Sequence, residues 1–171
     1  MSGFRRVLLS ALVALVPAAA AASSTPVPGG ANEVKALSGK LGDTIFNGVL
    51  RIKADSLAYT TSPEDVAEVN TSGGKKVMKL TVLLRNGSKD DFTDLMSYTF
   101  ADKDDVTLSI GSFNLHPGNL HILQGAAARQ TAIFTVDPSF VPVKLIVQCA
   151  SCSARSGFRA VRFSIPAPQQ P

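Results

Sequence analysis

Lys76-Val-Met-Lys-Leu-Thr-Val-Leu-Leu-Arg-Asn86 combines β-branched and apolar residues at both parities, and a turn signal follows it directly. At strand spacing, Met78, Leu80, Val82 and Leu84 point to one face of a sheet and Val77, Thr81 and Leu83 to the other. This predicts a central strand covered on both faces, with Lys79 denting the second. Asn86-Gly87 is a tight-reversal dipeptide, so an antiparallel neighbour is expected to follow at once.

The segments around this strand are shorter and more polar. Upstream, Gly42-Asp43 and Asn47-Gly48 bracket Ile45-Phe46, which suggests a hairpin entry. Val49 to Leu57 alternates, with Leu50, Ile52 and Ala54 inward and Arg51, Lys53 and Asp55 outward. Ser62-Pro63-Glu64-Asp65 reads as a helix start with Ser62 as cap and Pro63 in the first position. At most two turns fit before Asn70 to Gly74 ends them. Downstream, Met96 to Phe100 reads as an edge strand, and Val106, Leu108 and Ile110 alternate as another. His116-Pro117-Gly118-Asn119 is a turn by its Pro-Gly centre. Leu120 to Leu123, Thr131 to Val136, Val143 to Gln148 and Val161 to Ile165 read as strands, the last two joined through Cys149 to Gly157. Seven to nine short strands with scarcely any helix predict an all-β antiparallel sandwich over residues 41–165, with a closed barrel as the alternative.

The ends of the chain differ in kind. Met1 to Ala22 carries Arg5 and Arg6, then an apolar run closing on Ala20-Ala21-Ala22, the pattern of a signal peptide cleaved after about Ala22. Arg5-Arg6 also raises a twin-arginine route, although Phe4 stands where a polar residue is usual. Ordinary secretion is the expectation, to the periplasm or outside the cell, with no transmembrane span in the mature chain. Residues 23–40 read as a flexible linker, with a short strand as an option after Ala31, and residues 166–171 as a frayed tail. The formal charge of +4 over 171 residues falls to about +2 without the leader, too small a surplus for a nucleic-acid partner. One domain with a substantial core is expected at this length.

Leu41-Gly-Asp-Thr, Asn47-Gly-Val-Leu-Arg-Ile52, the strand ending Leu84-Arg-Asn86, the Pro117-Gly118 turn and Ala132-Ile-Phe-Thr-Val136 together resemble the secreted immunoglobulin-like modules of bacterial envelope proteins and lipoproteins. The resemblance spans about residues 41–147. It implies an immunoglobulin-like fold and an envelope compartment, and no activity. The chain departs from that pattern in having no cysteine for lipid attachment and in its C-terminal cysteine hairpin.

Candidate chemistry is sparse. Cys149-Ala-Ser-Cys152 in an exported chain points to a local disulfide. A redox site would want the first cysteine at a helix N-terminus, and here strands flank it. A zinc site would need further ligands that the sequence does not offer nearby. Asp102, Asp104 and Asp105 present hard oxygens for calcium, without the glycine and distal Glu of an EF-hand loop. His116 and His121 flank a turn and are candidate ligands for a shared metal. Asn70-Thr-Ser and Asn86-Gly-Ser match the glycosylation sequon.

No nucleophile elbow, metalloprotease helix, phosphate loop or dinucleotide fingerprint is present, so no enzyme and no cofactor is expected. Acids dominate from Asp90 to Asp105, and Arg129, Lys144, Arg155, Arg159 and Arg162 dominate the C-terminal part, which raises an electrically polar molecule. The expectation is a non-catalytic module that engages a protein or envelope component through loops bearing Asp90, Asp91, Asp94, Arg155 and Arg159. The alternative is a periplasmic metal-binding protein.

Overall fold

The computed structural model describes residues 37–152 and 157–166. The expected leader, the linker up to residue 36, Arg155 and the tail beyond residue 166 lie outside them. The strands are β1 (Leu37–Lys40), β2 (Thr44–Phe46), β3 (Leu50–Tyr59), β4 (Lys76–Asn86), β5 (Met96–Ala101), β6 (Thr107–Ser109), β7 (Leu115–His116), β8 (Ala127–Val136), β9 (Lys144–Cys149) and β10 (Val161–Ser164). One helical turn, α1 (Pro63–Ala67), lies between β3 and β4.

The strands form two five-stranded sheets, one ordered β1-β10-β9-β5-β6 and the other β2-β3-β4-β8-β7. Every pairing is antiparallel except β1 with β10. No ladder joins the two sheets among the described residues, so the barrel alternative is not what forms.

The central strand stands where its composition placed it, third of five, between β3 and β8. Met78, Leu80, Val82 and Leu84 are all buried against the facing sheet. Across the gap, Tyr98, Phe100, Leu145, Val147, Val161 and Phe163 supply the other half of one continuous core. Phe100 of β5 and Phe134 of β8 stack with centroids 5.0 Å apart. Tyr98 Oη donates to Gln130 Oε1 at 2.6 Å, and Gln130 Nε2 donates to the Pro117 carbonyl at 2.6 Å. Each such large side chain contributes about 1.5–3 kcal/mol by leaving water, while the Tyr98–Gln130 bond fixes the facing of the sheets.

The second face of β4 is covered less fully than its pattern predicts. Val77 is buried, but Thr81 and Leu83 are half-exposed. The cover there is α1, and Lys79 is the reason it docks: its Nζ reaches Asp65 Oδ1 at 2.8 Å. Thr60 Oγ1 donates to the other oxygen of Asp65 at 2.8 Å and accepts the Ser62 N–H at 3.2 Å. Ser62 is the N-cap and Pro63 opens the helix, but the cap makes no side-chain bond. Thr60 and Asp65 organise the turn instead. Both the lysine and the threonine hold the Asp65 carboxyl below its ordinary range.

Other departures have local causes. A bulge at Asp55 puts Ala54 opposite Val82 and Ser56 opposite Thr81, so inward parity switches from even to odd and Leu57 is buried. β5 lies between β9 and β6 and is not an edge; β6 is. Val106 is 57% exposed, outside the alternation that placed it beside Ile110. Leu120 to Leu123 makes only an isolated bridge, Phe92 with Ile122, and a two-residue strand forms at Leu115–His116. β1 takes the last four residues of the expected linker, inside the stretch where a short strand is an option, and pairs them to β10. The Asn47-Gly48 hairpin between β2 and β3 forms as expected.

Asn86-Gly87 makes no hairpin, because the next strand belongs to the opposite sheet. Its asparagine is 1% exposed. Asn86 Nδ2 donates to the carbonyls of Asp90 and Ile122, at 2.8 and 2.9 Å, and Oδ1 accepts from the N–H and Oγ of Ser88. That side chain serves as the internal peg of the crossover. It is consequently unreachable as a glycan acceptor, while Asn70 is exposed.

Candidate functional site

Four connections meet at one end of the two sheets: 47–49, 87–95, 117–126, and the described parts of the last, 150–152 and 157–160. Their side chains and backbones tie them together. Asn47, fully buried, accepts the N–H groups of Val49 and Leu50 and donates to the Arg159 carbonyl at 3.1 Å. The Arg159 N–H returns a bond to the Asn47 carbonyl at 3.2 Å. Gly48 has a φ of +104°, and a Cβ there would lie 2.5 Å from the Gly157 carbonyl oxygen, so only glycine allows the two connections to touch. Phe92 stacks on Phe158 at 6.3 Å, and backbone bonds join Phe92 to Ile122 in both directions.

On this scaffold sit the acids of the first cluster. Asp91 accepts the Gln124 N–H at 3.1 Å and meets His121 Nε2 at 3.2 Å. Asp94 Oδ1 accepts from Ser151 Oγ at 3.2 Å, which links the β4–β5 connection to the cysteine turn. Asp90 is exposed. Asp90, Asp91 and Asp94, with Gly48, Ser88 and Lys89, line an open cleft of about 420 Å³.

The cysteines close the turn between β9 and β10. Cys149 and Cys152 are at disulfide distance, 2.00 Å between sulfurs. The Cys152 N–H also points at Cys149 Sγ, 2.9 Å away. A cysteine pair of this kind is compatible with an oxidising surrounding.

The second acid cluster lies elsewhere. Asp102, Asp104 and Asp105 occupy the β5–β6 turn, beside the start of β9. Asp102 Oδ1 accepts the N–H groups of Asp104 and Val106, both at 2.9 Å. Asp104 pairs with Lys103, and Asp105 with Lys144 at 3.1 Å. Their carboxylates thus fold the turn and meet cations, and they do not converge on a common point. The histidines separate too, His116 to Glu68 at 3.0 Å and His121 to Asp91. Among the described residues, the group of three metal-capable side chains whose ligand atoms all lie within 4.8 Å of one another is Asp94, Cys149 and Cys152. Neither the calcium trio nor the histidine pair forms such a group.

Of the charges that read as segregated along the chain, Asp105 of the β5–β6 turn meets Lys144 of β9. On β3, the Lys53 hydrogen bond holds the Asp55 carboxyl below its ordinary range, with a smaller contribution from Arg129. A second cleft, about 480 Å³, opens between the end of β3, α1 and the start of β4. Lys76 Nζ lies 5.3 Å from the Tyr59 ring at its wall. No pattern in the sequence marked it, since its walls come from three separated segments. Among the described residues no helix is long and apolar enough to cross a membrane.

No family model matches the chain, and no curated protein matches it. Among solved structures, the ApaA protein of Bordetella pertussis aligns at 12% identity, covering 68% of this chain and 94% of that one with a TM-score of 0.42. The structural-genomics target SoR45 aligns at 12% identity over 71% and 90%, with a TM-score of 0.44. The alkylpurine DNA glycosylase AlkC of Pseudomonas fluorescens, bound to DNA with an abasic-site analogue, aligns at 12% identity with a TM-score of 0.32, and only 30% of its length is covered.

Proposed function

We propose that this chain is an exported, non-catalytic module of the bacterial cell envelope, an immunoglobulin-like β-sandwich that docks a protein or envelope component through the loops at one end. The observation that carries the reading is the convergence of four connections at that end, pegged by buried Asn47 and Asn86, with Asp90, Asp91 and Asp94 around an open cleft. Strand residues are committed to the core, whereas loops held on a rigid scaffold are free to present charge to a partner. The cysteine pair supports an oxidising compartment, and the leader pattern in the sequence supports export. The cleft favours a partner with a cationic patch, because its carboxylates outnumber its one lysine.

The alternative, metal handling by Asp102, Asp104 and Asp105 or by His116 and His121, has no convergent geometry behind it. Immobilised chain, offered envelope extract, tests the docking reading against a charge-reversed D90K variant. One partner retained by the wild type and lost by the variant is expected. The same retention by both, or none by either, overturns it.

A further inference from the structure

The cysteine turn has an acidic neighbour whose carboxylate faces both sulfurs as well as Ser151. Asp94 arrives from the β4–β5 connection, and one of its carboxylate oxygens lies within 4.8 Å of both sulfurs. All three residues are half-buried. Ser151 positions the acid, because its Oγ donates to Asp94 Oδ1 at 3.2 Å while accepting the Leu95 N–H at 2.9 Å. The Cys152 N–H aimed at Cys149 Sγ is a donor of the kind that stabilises a sulfur bearing negative charge.

An intact disulfide has no charge for a carboxylate to meet. Two thiolates in its place would repel one, unless a cation sat among the three. We propose that Cys149, Cys152 and Asp94 form a zinc site that becomes available when the disulfide is reduced. Zinc accepts thiolate sulfur at about 2.3 Å and carboxylate oxygen at about 2.0–2.2 Å in one tetrahedral shell, and Cys-x2-Cys is a spacing it commonly uses. Calcium and magnesium reject thiolates, and copper(I) favours sulfur throughout, so a mixed set of two sulfurs and one oxygen selects zinc. The fourth position is left to water or to a partner's side chain. The third donor is contributed by tertiary structure alone, which is why cysteine spacing by itself did not disclose the site.

The steps balance. A dithiol reductant supplies two electrons and two protons and leaves as its own disulfide, while the Cys149–Cys152 bond breaks to two thiols. Zn²⁺ then displaces one proton from each thiol to solvent and joins the Asp94 carboxylate. Oxidation by an external disulfide reverses both steps and releases the metal. Asp94 also lines the cleft of the docking role proposed above, but zinc binding is read without any partner, so a failure here and a failure of that role are distinguishable.

The test uses the full chain reduced with a phosphine, freed of it without air, and titrated with Zn²⁺ against a chromophoric chelator, with Co²⁺ as a spectroscopic substitute. One zinc per reduced chain, a thiolate-to-cobalt charge-transfer band and no binding by the oxidised chain are expected. The D94N variant keeps both cysteines and the oxidised fold, and is expected to bind zinc at least about tenfold more weakly. No zinc on the reduced chain, or equal affinity in D94N, overturns the proposal. So does loss of the native circular dichroism on reduction, because only the fold gathers the three donors.

Discussion

Asn47 and Asn86 each precede a glycine and each reads as a turn residue, yet they are buried pegs whose amides satisfy backbone groups of distant segments. Removing such a side chain strands its partners without water, at about 1–3 kcal/mol for a lost buried group. Asn86→Ala is therefore expected to destabilise the domain by about 3 kcal/mol, read as a lower denaturant midpoint with an unchanged slope. Gly48→Ala is expected to cost about 2 kcal/mol for a different reason, the positive φ together with the contact to the Gly157 carbonyl. Tyr98 combines both lessons. Burial pushes its phenol above the ordinary tyrosine range, so the neutral form is what the core holds. Its stabilising contribution is complete below the unfolded tyrosine pKa, about 10, and is lost as pH rises beyond it. Tyr98→Phe, which leaves Gln130 Oε1 without its donor, is expected to lose about 1–3 kcal/mol at neutral pH.

The elements obey their sequence patterns where packing is one-sided and depart from them where a neighbour intervenes. α1 is too short to be stable alone, and what holds it is Asp65 between Thr60 and Lys79. The Asp65 pKa is depressed from 3.8, so its contribution is present above the unfolded value and is lost as pH falls through the lower folded one. Unfolding midpoints measured from neutral to acid pH are expected to drop below about pH 4, and D65N, already destabilised at neutral pH, is expected to drop less. The cysteine turn makes an opposite kind of contribution, through the unfolded chain. Its loop spans only four residues, so C149S with C152S is expected to lose at most about 2 kcal/mol by the chain-entropy relation. A larger loss in thermal melts would mean that the turn also holds the connections around it.

At the scale of the molecule, the acids of residues 90–105 fall at two separate places, and Lys144 answers Asp105. End-to-end association driven by charge is accordingly not expected. Sedimentation of the mature chain should give the same mass at low and at high salt, and a rise in mass at low salt would contradict this distribution. The fold was legible to the extent that burial alternates. β3 up to its bulge, the inward face of β4, β9 and β10 all show in their residues. The rank of β5 did not show, since Met96, Tyr98 and Phe100 carry the same pattern on an edge strand as on an inner one. β1 showed only as an option, because Leu37-Ser-Gly-Lys40 takes its strand pairing from β10.

The sequence by itself determined the all-β class, the central place of Lys76–Asn86, the turn at Asn47-Gly48 and the cysteine pairing, because each depends on residues close together along the chain. Tertiary structure alone decided that the chain crosses to the opposite sheet after Asn86, that His116 and His121 find different carboxylates, and that Asp94 stands beside the two sulfurs. These facts depend on which segments meet in space. Local preference says how a segment is shaped, and the shared core, by selecting which faces are buried against each other, says what it touches.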